Sequence, residues 1–312
     1  MKVLVADPIA EEGIKFLAEH AQVDVKLKSK PEQLKEIIGD YDALLVRSET
    51  KVSADIIERG EKLKVIGRAG IGIDNIDVDT ATKKGIVVLN APTGNTVSAA
   101  EHTIGLMLSL ARNIPKANAQ LKSGIWQRSK LVGTELRNKT LGIIGLGNVG
   151  SEVAKRAQGF EMRVVAYDPF TSEHYAKTIN VTPVPLKELL EEADFITLHT
   201  PLTKATKKLI GTEEIAKMKP TTYVINCARG GLVDEEALFK AIEEGRLAGA
   251  AFDVFSAEPA TDSMLLKSDK IIVTPHLGAS TVEAQVNVAK DVAEQVLTVL
   301  RGEFSKYAVN SS

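Results

Sequence analysis

Cysteine is nearly absent: Cys227 is the only one among 312 residues. Neither an intrachain disulfide framework nor a multi-cysteine zinc site can be built from it, no metal site is expected, and a reducing, cytoplasmic location fits best. Aromatic residues are scarce at 4%, which leaves the core to aliphatic side chains. An excess of one charge is also missing. The 39 Lys and Arg nearly balance the 41 Asp and Glu, for a formal net charge of −2, so no global field attracts nucleic acid or an acidic membrane. Long hydrophobic runs are lacking too. The apolar stretch after Met1-Lys2 meets Asp7-Pro8 before a signal-peptide core can form, and no uncharged stretch approaches the ~18 residues of a membrane span. The most apolar helix candidate, Ile104 to Ala111, is flanked by His102 and Arg112 and reads as a buried core helix. What is present, 44% hydrophobic and 26% charged residues, is the composition of a soluble globular chain of about two domains.

Short aliphatic runs alternate with amphipathic segments. Lys2-Ala6, Val23-Leu27, Ala43-Val46, Lys64-Ile66 and Ile86-Leu89 are predicted strands, separated by helical spacing over Glu11-His20, Pro31-Ile38, Ser53-Leu63 and Asp77-Lys84. A second series comprises Thr140-Ile144, Arg163-Tyr167, Phe195-Leu198, Tyr223-Asn226, Ala248-Asp253 and Lys270-Val273, with helices at Ser151-Gln158, Leu186-Glu192 and Glu235-Glu244. Such alternation implies two open α/β sheets with parallel strands. Two S-x-x-E capping boxes, Ser98–Glu101 and Ser280–Glu283, are predicted to open long helices reaching about Asn113 and Gly302. The last helix could carry the chain back to the first sheet. The expectation is a discontinuous domain, 1–95 with 283–312, and a second domain, 96–282, inserted into it.

The strongest local signal is Gly145-Leu-Gly147-Asn-Val-Gly150, directly after an apolar strand and opening a helix. Gly145 permits the tight turn, Gly147 lets backbone approach a pyrophosphate, and Gly150 allows close helix–sheet packing. Amides at the helix start add partial positive charge. The next strand ends at Asp168, near the spacing of about 20 residues at which a carboxylate accepts from the adenosine ribose hydroxyls and repels a 2′-phosphate. NAD is therefore expected over NADP.

Three groups suited to hydride-transfer chemistry follow later strands: Arg229, Glu258 and His276. An arginine fork grips a carboxylate through two parallel hydrogen bonds. Histidine exchanges protons near neutrality, and a carboxylate on its second nitrogen fixes the tautomer. Read singly, each has an ordinary alternative: an arginine in a structural ion pair, a solvated glutamate, a helix-capping histidine. Among the other histidines, His20 and His174 are expected to be exposed, and His102 to be a packing or interdomain residue. His199 is the rival base, because it too ends a strand. Cys227 has no evident base and reads as lining.

These residues, with Gly67-Arg-Ala-Gly-Ile-Gly-Ile-Asp-Asn-Ile-Asp77, Gly94-Asn-Thr-Val-Ser-Ala-Ala-Glu-His102, Cys227-Ala-Arg-Gly-Gly-Leu-Val-Asp234 and Pro275-His-Leu-Gly-Ala-Ser280, give the chain a nearly end-to-end resemblance to the D-isomer-specific 2-hydroxyacid dehydrogenases. The resemblance is nearest to the branch acting on a phosphorylated 2-hydroxy acid. It implies a Rossmann-type NAD domain inserted into a discontinuous flavodoxin-like substrate domain, and a catalytic set of Arg229, Glu258 and His276. It implies cofactor contacts from Gly145, Gly147, Asn148, Val149, Gly150, Asp168, Thr200, Pro201, Cys227, Ala228, Arg229, Asp253, His276 and Gly278. For the substrate it implies Arg47, Ser48, Arg68, Gly70, Asn95, Arg229 and His276, with Arg128 reaching the site of a second copy in a homodimer built on Ser98-Asn113 and the segment after it. Ile71 departs from the threonine of many relatives. The chain also resembles a short form, without the C-terminal regulatory domain of longer relatives. Two other readings stay open: a reductase of glyoxylate, hydroxypyruvate or another D-2-hydroxy acid, and a dinucleotide-sensing scaffold like the corepressors of this fold.

Overall fold

A computed structural model of the chain describes residues 1–310. It divides into two compact units, 1–96 with 279–312 and 97–278. In the first, strands β1 (Lys2–Val5), β2 (Gln22–Val25), β3 (Ala43–Val46), β4 (Val65–Arg68) and β5 (Val87–Leu89) form a sheet in the order β2-β1-β3-β4-β5. Every pairing is parallel, and the order is the flavodoxin-like one. Helices α1 (Glu11–Ala18), α2 (Pro31–Ile37), α3 (Ala54–Arg59) and α4 (Val78–Lys83) connect the strands.

In the second unit, α5 (Thr96–Ala111), whose first residue still belongs to the first unit, and α6 (Ile114–Lys122) precede the sheet. Seven strands follow: β6 (Thr140–Ile144), β7 (Arg163–Tyr167), β8 (Thr182–Pro183), β9 (Phe195–Leu198), β10 (Tyr223–Asn226), β11 (Gly249–Phe252) and β12 (Ile271–Val273). Their order is β12-β11-β10-β9-β6-β7-β8, all parallel. Counted from β6 this is the doubly wound dinucleotide-binding order with one further strand. Its helices are α7 (Asn148–Gly159), α8 (Glu173–Thr178), α9 (Leu186–Glu192), α10 (Thr212–Ile215) and α11 (Glu235–Glu243); the chain then returns to the first unit in α12 (Val282–Leu300).

Strands β3, β6 and β9 are buried along their whole length, as expected of parallel strands covered on both faces. The first unit has one apolar cluster on each face of its sheet. Val288, Val292, Ala293, Val296 and Leu297 of α12 pack with Val3, Val5, Leu45 and Val65 on one of them. The amphipathic spacing of α12 is therefore spent on the first sheet. Residues 308–310 also lie along this sheet. Val309 donates to Val88 O (2.9 Å), Val88 N–H donates to Asn310 Oδ1 (2.8 Å), and Leu89 bridges antiparallel to Ala308.

Helices α3 and α4 start one residue later than expected, and three helices differ in their cap or by more than one residue. Helix α5 begins at Thr96, so Ser98 lies inside it; S-x-x-E spans one helical turn and suits the first turn of a running helix as well as its cap. At α12 the cap is Thr281, whose side chain accepts from Ala284 N–H (3.1 Å), not Ser280. Helix α7 begins at Asn148 rather than Ser151, with Ser151 N–H already donating to Gly147 O (2.9 Å). Helices α6, α8 and α10 and the two-residue β8 were not expected.

Candidate functional site

The glycine segment forms a turn from β6 into α7. Gly145 has φ +96°, a left-handed value that favours glycine. A Cβ on Gly150 would run into the Gly145 carbonyl, whereas one on Gly147 would meet nothing within 4 Å. Strand, turn and helix are thus drawn together everywhere except at Gly147, which faces open space at the N-cap of α7. Because the helix starts at Asn148, Asn148, Val149 and Gly150 are its first turn, where backbone N–H groups lack intrahelical acceptors. Asp168, just past β7, stands beside this turn: Oδ2 accepts from Leu146 N–H (2.7 Å) and Oδ1 from Phe170 N–H (2.8 Å) and Thr171 N–H (3.2 Å). An open glycine edge, unpaired helix amides and a fixed carboxylate fit a dinucleotide's pyrophosphate and ribose.

The other groups follow neighbouring strands: Thr200 and Pro201 after β9, Cys227, Ala228 and Arg229 after β10, Asp253 and Glu258 after β11, and His276 and Gly278 after β12. All are at carboxyl ends of parallel strands, where ligands of open α/β sheets bind. Buried Asn226 shapes the β10 loop, its Nδ2 donating to Arg229 O (2.9 Å) and its Oδ1 accepting from Ala228 N–H (3.1 Å). A Cβ on Gly230 would collide with the Phe255 carbonyl, so glycine alone lets the Arg229 loop lie against the segment leading to Glu258. The Arg229 guanidinium donates from Nη1 to Ala228 O (2.6 Å).

His276 Nδ1 lies 2.8 Å from Glu258 Oε2, and Glu258 Oε1 accepts from Phe255 N–H (3.1 Å). The carboxylate, itself held by backbone, makes Nδ1 the protonated nitrogen and leaves Nε2 with its lone pair. His276 has φ +56°, sparsely populated for a side-chain-bearing residue. The turn is pinned by Asp253, which is fully buried. Its Oδ1 accepts from Leu277 N–H (2.7 Å) and Thr274 Oγ1 (2.6 Å), and its Oδ2 from Gly278 N–H (2.8 Å). Burial raises the Asp253 pKa, but hydrogen bonds from His102, Thr274 and Leu277 outweigh it and the net shift is downward.

The rivals fall away on the same grounds. His199 turns onto Thr197 Oγ1 (2.9 Å), and burial pushes its pKa down to about 3, so its ring stays neutral and is a poor proton acceptor at physiological pH. Burial pushes the Cys227 thiol up to about 12; it is no nucleophile near neutrality. His20 and His174 are exposed. His102, expected to be a packing or interdomain residue, hydrogen-bonds Asp253 and Thr274. Its position in an apolar helix hid this.

In the first unit, Arg47, Gly70 and Asn95 line a small cavity of about 30 Å³ together with Pro8, Gln285 and Val288. Buried Asp7 accepts from Arg47 N–H (2.6 Å), Thr50 N–H (3.1 Å) and Thr50 Oγ1 (2.5 Å), fixing the loop after β3. Arg68 ends β4 in register with Val46, one residue before Arg47, and its guanidinium lies against Gly70. Ser48 is exposed and does not line that cavity. Arg128 is exposed in the second unit, on a short 3₁₀ turn at Arg128–Lys130.

The description "D-isomer specific 2-hydroxyacid dehydrogenase, NAD binding domain" matches residues 104–278. The chain belongs to the D-isomer-specific 2-hydroxyacid dehydrogenase family, and the unit holding the glycine turn is its NAD-binding domain. It is similar to the D-3-phosphoglycerate dehydrogenases of Synechocystis (53% identity over 99% of this chain) and Methanocaldococcus jannaschii (53% over 99%). The chain spans only 56% and 59% of their lengths. Among solved structures, D-lactate dehydrogenase from Aquifex aeolicus, complexed with NAD and lactic acid, superposes with a TM-score of 0.88 at 28% identity, covering 100% of both chains.

Proposed function

We propose that the chain carries the chemistry of a D-3-phosphoglycerate dehydrogenase: NAD-dependent oxidation of 3-phospho-D-glycerate to 3-phosphohydroxypyruvate, the opening step of the phosphorylated route to serine, carried out in the cytoplasm by a homodimer. The observation that carries the reading is the 2.8 Å pairing of His276 Nδ1 with Glu258, which readies Nε2 as a base. The level of identity to the two phosphoglycerate dehydrogenases supports the choice of substrate.

When bound, NAD⁺ supplies the acceptor for the hydride on C2. His276 Nε2 takes the C2 hydroxyl proton, and Glu258 stabilises the resulting imidazolium. Arg229 holds the substrate carboxylate. The first unit is the substrate domain, which the sequence bounds at 1–95 with 283–312; Arg47 and Arg68 take the phosphate, with Ser48, Gly70 and Asn95 as further contacts. Thr200, Pro201, Cys227, Ala228 and Gly278 would line the cofactor path; Asp253, expected there too, is fully buried and would serve the site through the turn it holds rather than by direct contact. Arg128 serves the site of the second copy. Support for a dimer lies after α5, where Ile114, Leu121, Ile125, Trp126 and Val132 are exposed apolar residues within one stretch; most of the apolar surface of α5 is buried.

An NADH absorbance assay of the purified chain with phosphohydroxypyruvate, hydroxypyruvate, glyoxylate and pyruvate tests the proposal. Losing a charge-assisted contact costs about 1.5–3 kcal/mol, so kcat/KM for the phosphorylated substrate is expected to lead by about tenfold or more. A lead for an unphosphorylated substrate would move the chain to the glyoxylate or lactate branch. No turnover of any of the four would leave the scaffold reading.

A further inference from the structure

We infer that His102 is a positioning residue of this site, acting through Asp253 on the turn that carries His276. The inference rests on the dehydrogenase reading above and extends it to a residue outside the strand-end loops.

The argument begins with a buried charge. Asp253 is 0% exposed, and a buried carboxylate is tolerated only when donors surround it. Two of its donors, Leu277 N–H and Gly278 N–H, and a third, Thr274 Oγ1, all come from the segment that Asp253 itself holds. His102 is the exception. It stands on α5, and its Nε2 lies 3.2 Å from Asp253 Oδ1 and 3.1 Å from Thr274 Oγ1. Since an ionised carboxylate only accepts, Nε2 must carry a hydrogen and donate. His102 thus ties the carboxylate to a long helix packed in the core.

That tie matters because of the turn. His276 keeps its left-handed φ of +56° while its own N–H donates to Thr274 O (3.0 Å). The next two amides are fixed on Asp253. A shift of that carboxylate moves them, and with them the imidazole that must keep Nδ1 on Glu258 and Nε2 toward the substrate. Misplacement by about 1 Å is enough to cost on the order of 100-fold in rate.

Three variants test this. His102→Leu keeps bulk and removes the donor. His102→Gln places an amide N–H where Nε2 was, and His102→Asn carries one too short to reach. In Leu and Asn variants kcat is expected to fall about 10–100-fold while NADH affinity, read by fluorescence, stays within about threefold. The Gln variant should recover most of the kcat. The second readout needs no substrate. The His276 Nδ1 proton resonance, assigned by its absence in His276→Asn, should shift or broaden in the Leu and Asn variants and return in Gln. Should Leu not fold, the Asn–Gln pair carries the comparison. Wild-type kcat and an unmoved resonance in the donor-less variants overturn the inference, as does a Gln variant as impaired as Asn. If the wild type turns over no 2-hydroxy acid and the resonance still follows the donor, the dehydrogenase reading fails and the positioning role stands.

Discussion

Nδ1 of His276 is committed to Glu258, so everything asked of the ring falls on Nε2. His276→Asn retains a polar side chain with no basic nitrogen. It is expected to lower kcat by about 10²–10⁴-fold, the usual contribution of a positioned acid–base group, with NADH binding by fluorescence quenching unchanged. Arg229→Lys keeps the charge and loses the fork; KM for the hydroxy acid is expected to rise about 10–100-fold, the loss of one charge-assisted bond, with a smaller change in kcat. Asp168 organises the turn by accepting Leu146 N–H. Asp168→Ala is expected to raise KM for NAD and to narrow the NAD-over-NADP preference, measured as the ratio of kcat/KM for the two cofactors. These three side chains could be read from residue type and position after a strand. His102 could not, because its partner Thr274 is 172 residues away in the chain and nothing local marks the meeting.

Helices and strands were legible in proportion to their period. The strands Ala43–Val46, Thr140–Ile144, Arg163–Tyr167, Phe195–Leu198 and Tyr223–Asn226 match expectation residue for residue, since a buried parallel strand is an unbroken aliphatic run bounded by polar residues. Strand β8 has two residues, one of them Pro183, too short to show any alternation. Helix α6 has nine residues, opens on Ile114-Pro115 and buries none of them, so its short apolar pattern is not tied to a core and does not stand out. At α12 the start slipped because Ser280 and Thr281 stand side by side, and only the hydrogen bond actually formed decides which of them caps. Loop contact is equally invisible beforehand: nothing in Arg229-Gly-Gly231 announces that Gly230 abuts the Phe255 carbonyl. Gly230→Ala would drive these loops apart. The expected cost is about 1–3 kcal/mol, as for overpacking elsewhere, seen as a lower urea midpoint together with lost activity.

At the scale of the whole molecule, acid should weaken the fold. Burial raises the Asp194 pKa, but Thr140 N–H and Lys219 lower it further, and the net shift is downward; Asp253 is likewise lowered overall. A carboxylate with a depressed folded pKa stabilises the fold above its unfolded value, near 3.9, and that contribution disappears as pH falls through the folded value. Urea midpoints measured against pH should therefore hold level near neutrality and drop below about pH 4, and Asp194→Asn should flatten that drop. Among the described residues no helix is long and apolar enough to cross a membrane.

The pairing of Val88 and Leu89 with residues 308–310 has a colloidal consequence. Sheet margins recruit other chains when their amides and carbonyls are vacant. Here one margin of the five-stranded sheet is occupied by residues 308–310 of the same chain, and the opposite one, β2, is followed by Lys26, Lys28 and Lys30. Cutting the polypeptide after Gly302 would strip the first margin bare, and light scattering of the shortened protein should climb with concentration where that of the parent stays flat.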